Sequence, residues 1–295
     1  MSQLSVATVS QLRTIQQLVR MGRYAYCGVA DEDMPGILAK RATILAAERE
    51  AMWGVMMVDP EARPLTLPAA AANRAQLRAL AMRHGPWLET GTGELIGGLQ
   101  RLLPDALRPL MLSTYATETW LHAGLMRAGF ALADTVIYYR LDLPPQDAPS
   151  APNANAAHPA GLHLAQLGET QALAEMDAEI FDPLWHFGAA EIMEMQVRGR
   201  VMIATVEGAL AGYSALLAGP RREAHLARLG VHPRWQRTGI GRQLLTEVVH
   251  YAQNEGFSAV ALNTQASNLR SQTLYASLGF APSGIEIPIL TYQIN

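Results

Sequence analysis

The chain has one cysteine, Cys27, and one lysine, Lys40, in 295 residues. A single thiol excludes an internal disulfide and a cysteine-built zinc site, and it fits a reducing cytoplasm. Aromatic residues make up 6% and charged residues 17%, against 49% hydrophobic. That balance is too apolar for intrinsic disorder and sufficient for a sizeable core. No run approaches the roughly 20 apolar residues of a membrane span, and the first 30 residues lack the continuous apolar stretch of a secretory leader. Net charge is -3, from 23 basic and 26 acidic residues, so nothing global draws the protein to nucleic acid or to an anionic membrane. There is no Gly-x-Ser-x-Gly elbow and no lysine-bearing phosphate loop. The eight histidines stand at no metal-ligand spacing from each other or from acids, so no metal is expected.

What is present is a faint duplication. Residues 144–160, PPQDAPSAPNANAAHPA, carry no apolar periodicity and read as a linker between residues 1–143 and 161–295. Each flanking half opens with a short alternating run, residues 4–9 and 162–167, followed by a helical pattern, 11–19 and 170–180. Paired strand candidates follow, 42–47 with 52–58 and 201–206 with 211–217. Leu112-Ser113-Thr114, a helix and Gly129-Phe130 then mirror Leu262-Asn263-Thr264, a helix and Gly279-Phe280. The offset is about 159 residues at Arg41 and Arg200 and 150 at the Gly-Phe pairs, which places about nine extra residues of the first half between 68 and 109. The order predicts an α+β fold in α/β/α layers: two tandem domains, each a mixed, mostly antiparallel sheet flanked by helices.

The chemistry gathers in residues 222–280. A strand candidate over 223–231 leads into His232-Pro233-Arg234-Trp235-Gln236-Arg237-Thr238-Gly239-Ile240-Gly241-Arg242. A helix follows, with Ile240, Leu244, Leu245, Val248 and Ala252 on one face and Gly256 at its end. Glycines let a ligand approach the backbone, and the first amides of a helix have no internal partner and carry the positive end of its dipole. Six arginines (221, 222, 228, 234, 237, 242) against one acid, Glu223, make the region basic within an acidic chain. Such a loop prefers phosphate.

Residues Gln236 to Gly241 resemble the pyrophosphate loop of the GCN5-related N-acetyltransferase (GNAT) family. The Leu-Gly-Val-His-Pro run before it and Leu-Tyr-Ala-Ser-Leu-Gly-Phe after it are similar to the same family. The resemblance implies an acetyl-CoA site in a V between the strand ending at Val231 and the strand over 258–262. Backbone groups of Leu229, Gly230 and Val231 would meet the pantetheine arm as an added strand. The amides of Gln236, Arg237, Thr238, Gly239, Ile240, Gly241 and Arg242 would hold the pyrophosphate, and Asn268 would bond the cofactor near the pantetheine. An amide of this strand, that of Leu229 or a neighbour, would polarise the thioester carbonyl. Tyr275 matches the family's general acid; its alternative is a buried helix aromatic. For the general base, Glu223 and His225 stand two apart on one strand face, and either fits. His232 and His250 carry no assigned role.

The first half departs from the pattern. It reads Ala69-Ala70-Ala71-Ala72-Asn73-Arg74 where the loop is expected, with Gly91-Thr92-Gly93 ahead of a later helix and Leu125 in the place of Tyr275. It is expected to be a degenerate GNAT-like domain without a catalytic loop. In the second half, residues 169–194 hold seven acids and no lysine or arginine, around Phe181-Asp182-Pro183-Leu184-Trp185-His186-Phe187. Asp182 and Trp185 would grip a cationic amine there, or the acids are solvated helix faces and the aromatics pack inside the protein. The expected function is transfer of an acetyl group from acetyl-CoA to a primary amine, on a small molecule or a peptide, by direct attack in a ternary complex. The alternatives are a non-catalytic acyl-CoA sensor and a tandem acetyltransferase of the mycothiol-synthase kind. The oligomeric state is not legible.

Overall fold

The computed structural model describes residues 2–49, 51–61, 72–83, 87–144 and 160–295. Its elements run β1 (Gln3–Val6), α1 (Leu12–Met21), β2 (Tyr24–Cys27), α2 (Met34–Ala39), β3 (Ile44–Glu48), β4 (Ala51–Pro60), β5 (Asn73–Met82), α3 (Trp87–Leu102), β6 (Leu110–Tyr115), α4 (Thr119–Arg127) and β7 (Ala131–Asp142). The order then repeats as β8 (Gly161–Leu164), α5 (Thr170–Ile180), α6 (Ala189–Arg198), β9 (Gly199–Val206), β10 (Ala209–Ala218), β11 (Glu223–Val231), α7 (Ile240–Asn254), β12 (Ala259–Gln265), α8 (Leu269–Ala276) and β13 (Ala281–Ile294). Each repeat is a mixed sheet flanked by helices, as the sequence predicts. The element without a counterpart is β2.

In the first compact unit the strand order is β1-β3-β4-β5-β6, closed by residues 289–294 of β13 on β6, with β2 also on β5. One face packs Leu95, Leu99, Leu121 and Leu125 of α3 and α4 against Ile44, Met56 and Leu80. The other packs Ile15, Leu18, Ile37 and Leu38 of α1 and α2 against Leu45, Val55 and Met57. In the second unit the order is β12-β11-β10-β9-β8, with residues 136–142 of β7 on β12. Here α7 and α8 cover one face and α5 and α6 the other. Ile240, Leu244, Leu245, Val248 and Ala252 of α7 are buried, as their spacing predicts.

The duplication is visible atom for atom at the end of each repeat. Gly129 (φ 96) ends the turn after α4, and the Phe130 amide donates to the Leu125 carbonyl at 3.0 Å. Gly279 (φ 88) follows α8, and the Phe280 amide donates to the Tyr275 carbonyl at 3.1 Å. A left-handed residue here lets the chain satisfy the last carbonyls of the helix, which favours glycine.

Three readings of the first half change. Asn73 and Arg74 open strand β5, so the counterpart of the glycine loop is the connection from Arg83 to α3, not residues 69–74; residues 69–71 lie outside the described residues. Gly91, Thr92 and Gly93 lie within α3, not ahead of it. The offset is 158 between the starts of β4 and β10 (51 and 209) and 150 between β5 and β11 (73 and 223). The extra residues therefore fall in the connection 61–72, rather than across 68–109.

The compact units cross the sequence boundary twice. Val136–Glu286 belongs to the second unit and Ile287–Asn295 to the first, so the split at 143 and 161 separates β12 from its neighbour. Residues 136–142 run antiparallel to β12, from Val136 opposite Gln265 to Asp142 opposite Ala259. A fragment starting at residue 161 exposes that edge, and an unpaired central edge is an aggregation template. A fragment of residues 136–286 is expected to melt cooperatively, and one of 161–295 to aggregate or melt without a cooperative transition. Circular dichroism melts and amide NMR dispersion of the two fragments check this.

Candidate active site

Strand β11 has a neighbour on the β12 side for four residues only, from Glu223 opposite Ala259 to Leu226 opposite Leu262. Beyond them the described residues place no strand on that side of 227–231. The splay coincides with a β-bulge. Leu226 pairs with Leu216 and Arg228 with Ala215, which leaves Ala227 without a partner on β10. A bulge re-aims the side chains that follow it. Ala224 and Leu226 pack with Leu245 and Val248 of α7, and after the bulge it is Leu229 and Val231 that pack on the α7 side. Arg228 and Gly230 thereby turn towards α5 and its following loop. A Cβ at Gly230 would lie 3.1 Å from Ile180 and 3.2 Å from Phe181, so this position must stay small. The sequence carries only a faint trace of the bulge, a shift of the apolar alternation from Ala224 and Leu226 to Leu229 and Val231.

The loop after β11 turns sharply into α7. Arg237 (φ 66) and Gly239 (φ 94) both take left-handed backbone, and Thr238 donates to the Trp235 carbonyl at 2.6 Å. The Gln236 side chain donates to the Val231 carbonyl at 3.0 Å and accepts from Arg270. Gly239 is exposed at the mouth of the helix, and the amides of Ile240, Gly241 and Arg242 have no carbonyl one turn behind them. A Cβ at Gly241 would meet Leu274 and Val231 at 3.5 Å, an ordinary contact. Protein packing therefore does not require glycine there. Its smallness leaves room on the amide side of the turn, which suits the close approach of a phosphate. Arg234, Arg237, Arg242 and Arg270 are exposed around it.

Tyr275 of α8 is 5% exposed and lies between the rings of Tyr139 and Phe280, at 6.0 and 6.1 Å. Burial pushes its phenol up to about 12, against a hydrogen bond with Ser271 and the positive charge of Arg228. It stays protonated at neutral pH. Glu223 and His225 share the α5–α6 side of β11. Glu223 begins the strand, within the stretch paired to β12, and is ion-paired to Arg140. Burial holds the His225 imidazole below its usual range, so it is neutral at pH 7. Asn268 caps α8, its Oδ1 accepting from the Ser271 amide at 3.1 Å; its amide nitrogen is not used by the cap.

Arg228 was counted in sequence only as part of the basic cluster. In the structure it sits between two aromatic faces, its guanidinium carbon 3.5 Å from the Phe181 centroid and 4.2 Å from that of Phe187. Its Nε and Nη2 donate to the two oxygens of Asp177 at 2.8 and 2.6 Å, and Nη2 also donates to the Trp185 carbonyl at 2.8 Å. Asp177 is fully buried and accepts further from the Phe187 amide and the Tyr213 hydroxyl. Five hydrogen bonds and two ring contacts thus converge on one buried ion pair and hold residues 181–187 to β11.

That network consumes most of the negative charge read as an entrance for cations. Asp177 serves Arg228, Glu179 accepts from His232, Glu194 pairs with Arg198, and Glu175 accepts from Gln171. Glu169 and Glu191 accept from the amides of Gln166 and Gly188 at helix starts. Asp182 is the one of the seven left exposed with no side-chain partner among the described residues. Its backbone carbonyl closes a turn with the amides of Trp185 and His186, and Trp185 is half-buried beside it. His232 also has a role that sequence did not show. Its Nδ1 accepts from the Arg234 amide, so Nε2–H donates to Glu179 at 2.8 Å. Among the described residues no three or more His, Cys, Asp and Glu side chains are gathered to hold a metal ion, and no helix is long and apolar enough to cross a membrane.

The profile of the acetyltransferase (GNAT) family matches residues 170–280. The N-alpha-acetyltransferase RimI of Mycobacterium tuberculosis is 31% identical over 122 residues, which are 40% of this chain and 75% of that protein. The chain belongs to the GNAT family. A mycothiol acetyltransferase of Renibacterium salmoninarum is 29% identical over 150 residues, half of this chain, and the match spans 41% of that relative's length. Among solved structures, a tandem GNAT protein from the clavulanic acid biosynthesis pathway aligns over 100% of this chain and 99% of its own, with a TM-score of 0.58 and 16% identity. That likeness establishes a tandem GNAT fold. The matched family region begins with α5 and ends at Phe280, so it holds the loop, the bulged strand, Arg228 and Tyr275 together.

Removing one partner of a buried ion pair leaves an uncompensated charge, which costs about 3–5 kcal/mol. Arg228→Met and Asp177→Asn should each lower unfolding stability on that scale, measured by urea titration. The double variant should recover part of the loss, because neither charge is then left alone.

Proposed function

We propose that the second unit transfers an acetyl group from acetyl-CoA to a primary amine by direct attack in a ternary complex. The observation that carries this reading is the adjacency of two features at one strand end. The open edge of β11 at residues 229–231 suits an extended amide-bearing arm by strand addition. The glycine turn that follows suits a pyrophosphate. In this reading Leu229, Gly230 and Val231 hold the pantetheine through their backbone, residues 236–242 hold the pyrophosphate through their amides, and the free amide group of Asn268 bonds the arm.

Acetyl-CoA supplies an activated thioester whose sulfur must leave as the acyl group moves. Tyr275, protonated in its buried seat, gives its phenolic proton to that sulfur. An amide of the β11 edge, that of Leu229 or a neighbour, donates to the carbonyl oxygen. His225, neutral because it is buried, takes the proton of the attacking amine directly or through water. Glu223 is the second candidate for this step, with its carboxylate committed to Arg140. Asp182 and Trp185 line the acceptor side, where an exposed carboxylate attracts an ammonium and an indole face adds about 0.5–2 kcal/mol of cation–π contact.

The acceptor is a small-molecule or peptide amine. The RimI-like similarity supports an N-terminal amine. The mycothiol acetyltransferase similarity supports a second reading, in which the acceptor is a mycothiol-type amine. A panel of both amine classes with acetyl-CoA, read as free thiol released, decides between them. Release with neither class would favour a non-catalytic acyl-CoA sensor.

Two variants test the residue roles. Tyr275→Phe should keep acetyl-CoA affinity and lower turnover by roughly 10²–10⁴-fold; unchanged turnover, with chemistry rate-limiting, would return Tyr275 to a packing role. Gly239→Glu puts a carboxylate where a phosphate must sit and should abolish acetyl-CoA binding in calorimetry while the melt stays cooperative.

A further inference from the structure

The unpaired element β2 gains a meaning when the two units are compared strand by strand. β5 stands in the first unit where β11 stands in the second. It pairs in parallel with the next strand over four residues, from Asn73 opposite Leu110 to Gln76 opposite Ser113. A bulge follows at once, because Leu77 pairs with Val58 and Ala79 with Met57, leaving Arg78 over. Up to this point β5 and β11 behave alike. Beyond it they differ. Among the described residues, the edge of β11 at residues 229–231 away from β10 has no strand beside it, whereas the edge of β5 at residues 79–82 is occupied by β2, from Cys27 opposite Ala79 to Tyr24 opposite Met82. The Gly28 amide extends the ladder to the Arg78 carbonyl at 2.7 Å.

β2 lies in the connection between α1 and α2. The matching connection in the second unit, between α5 and α6, is the loop that Arg228 holds by its side chain. In the first unit the same stretch of chain enters the splay and becomes a strand. Gly22 makes the entry possible, since a Cβ there would lie 2.6 Å from the Leu18 carbonyl oxygen and 3.1 Å from that of Met82. Tyr24 packs against Trp120 of α4 at 5.7 Å between ring centroids. Tyr24 and Tyr26 both cover the core that contains Leu125, the residue at the place of Tyr275.

We infer that β2 is a built-in occupant of the splay, filling in the first unit the position that acetyl-CoA fills in the second, so that each chain has one acyl-CoA site. One segment closes both the cofactor edge and the side where an acceptor loop would stand. This rests on reading the β11 edge as the cofactor seat. A backbone ladder already made is the strongest barrier to an extended ligand, because strand addition needs free amides and carbonyls.

Calorimetric titration of the full chain with acetyl-CoA, paired with amide hydrogen exchange with and without the ligand, tests the inference. One equivalent should bind, and none in Gly239→Glu. Exchange at residues 229–231 should slow on binding, while residues 79–82 and Tyr24–Cys27 should be protected beforehand and unchanged by ligand. Two equivalents, or ligand-dependent exchange at residues 79–82, would overturn the sealing of the first unit and leave the reading of the second intact. One equivalent that persists in Gly239→Glu and alters exchange at β2 would place the ligand in the first unit and overturn both. No binding by the wild-type chain would likewise overturn both.

Discussion

Parallel pairing between β11 and β12 stops after Leu226, and the proposed cofactor seat of the second unit is built on that interruption. On the side of residues 229–231 away from β10 no strand stands among the described residues, and of the backbone groups there the Val231 carbonyl accepts from Gln236. The bulge at Ala227 sends Arg228 to one face and Leu229 to the other at the same point. The glycine turn is anchored to the same strand end by Gln236 on the Val231 carbonyl. A continuous β11–β12 ladder would satisfy the backbone better and leave no place for a ligand. The first unit illustrates this outcome by another route, with β2 restoring a full ladder on β5.

The buried Arg228–Asp177 pair is the second determinant. Desolvating two charges is costly, and such pairs are weak contributors to net stability. What this one supplies is geometry. Every remaining acceptor of Asp177 and most donors of Arg228 are used, so the loop over residues 181–187 is held in one arrangement with Phe181 and Phe187 stacked on the guanidinium. A hydrophobic replacement would fill the same volume without fixing the Trp185 carbonyl or the Phe187 amide. The loop over residues 181–187 is thereby tied to β11 through side chains, without a backbone ladder between them.

Much of this was legible in the sequence. The apolar spacing of α7, the Gly239 turn, the Gly-Phe endings and the position of Leu125 opposite Tyr275 are local signals, and local signals survive in a single sequence. The bulge at Ala227 left only a one-step shift in the apolar alternation, from Leu226 to Leu229, and alanine, which fits either face, blurs it. The role of Arg228 depends on Asp177, 51 positions earlier, and no spacing rule links them. The six acids that hold caps, ion pairs and, at Glu175, a hydrogen bond with Gln171 looked like a surface charge run for the same reason. β2 did carry a signal, since Tyr24-Ala25-Tyr26 alternates. It is short, and the repeat offers no counterpart for it, because the other half has a loop there. The displaced loop assignment at residues 69–74 arose from an insertion whose ends sequence alone did not fix.

The pairing of Ile289 to Ile294 with β6 has a consequence for how the chain is made. These residues stand about 180 positions after their partners, and contacts of such separation form late because the intervening chain must close first. During synthesis the first unit emerges with β6 exposed along one side and stays so until residues 289–294 leave the ribosome. Its completion therefore waits on translation of the whole second unit. A chain arrested anywhere before Ile287 presents an unfinished sheet whose open edge is a template for pairing with another chain.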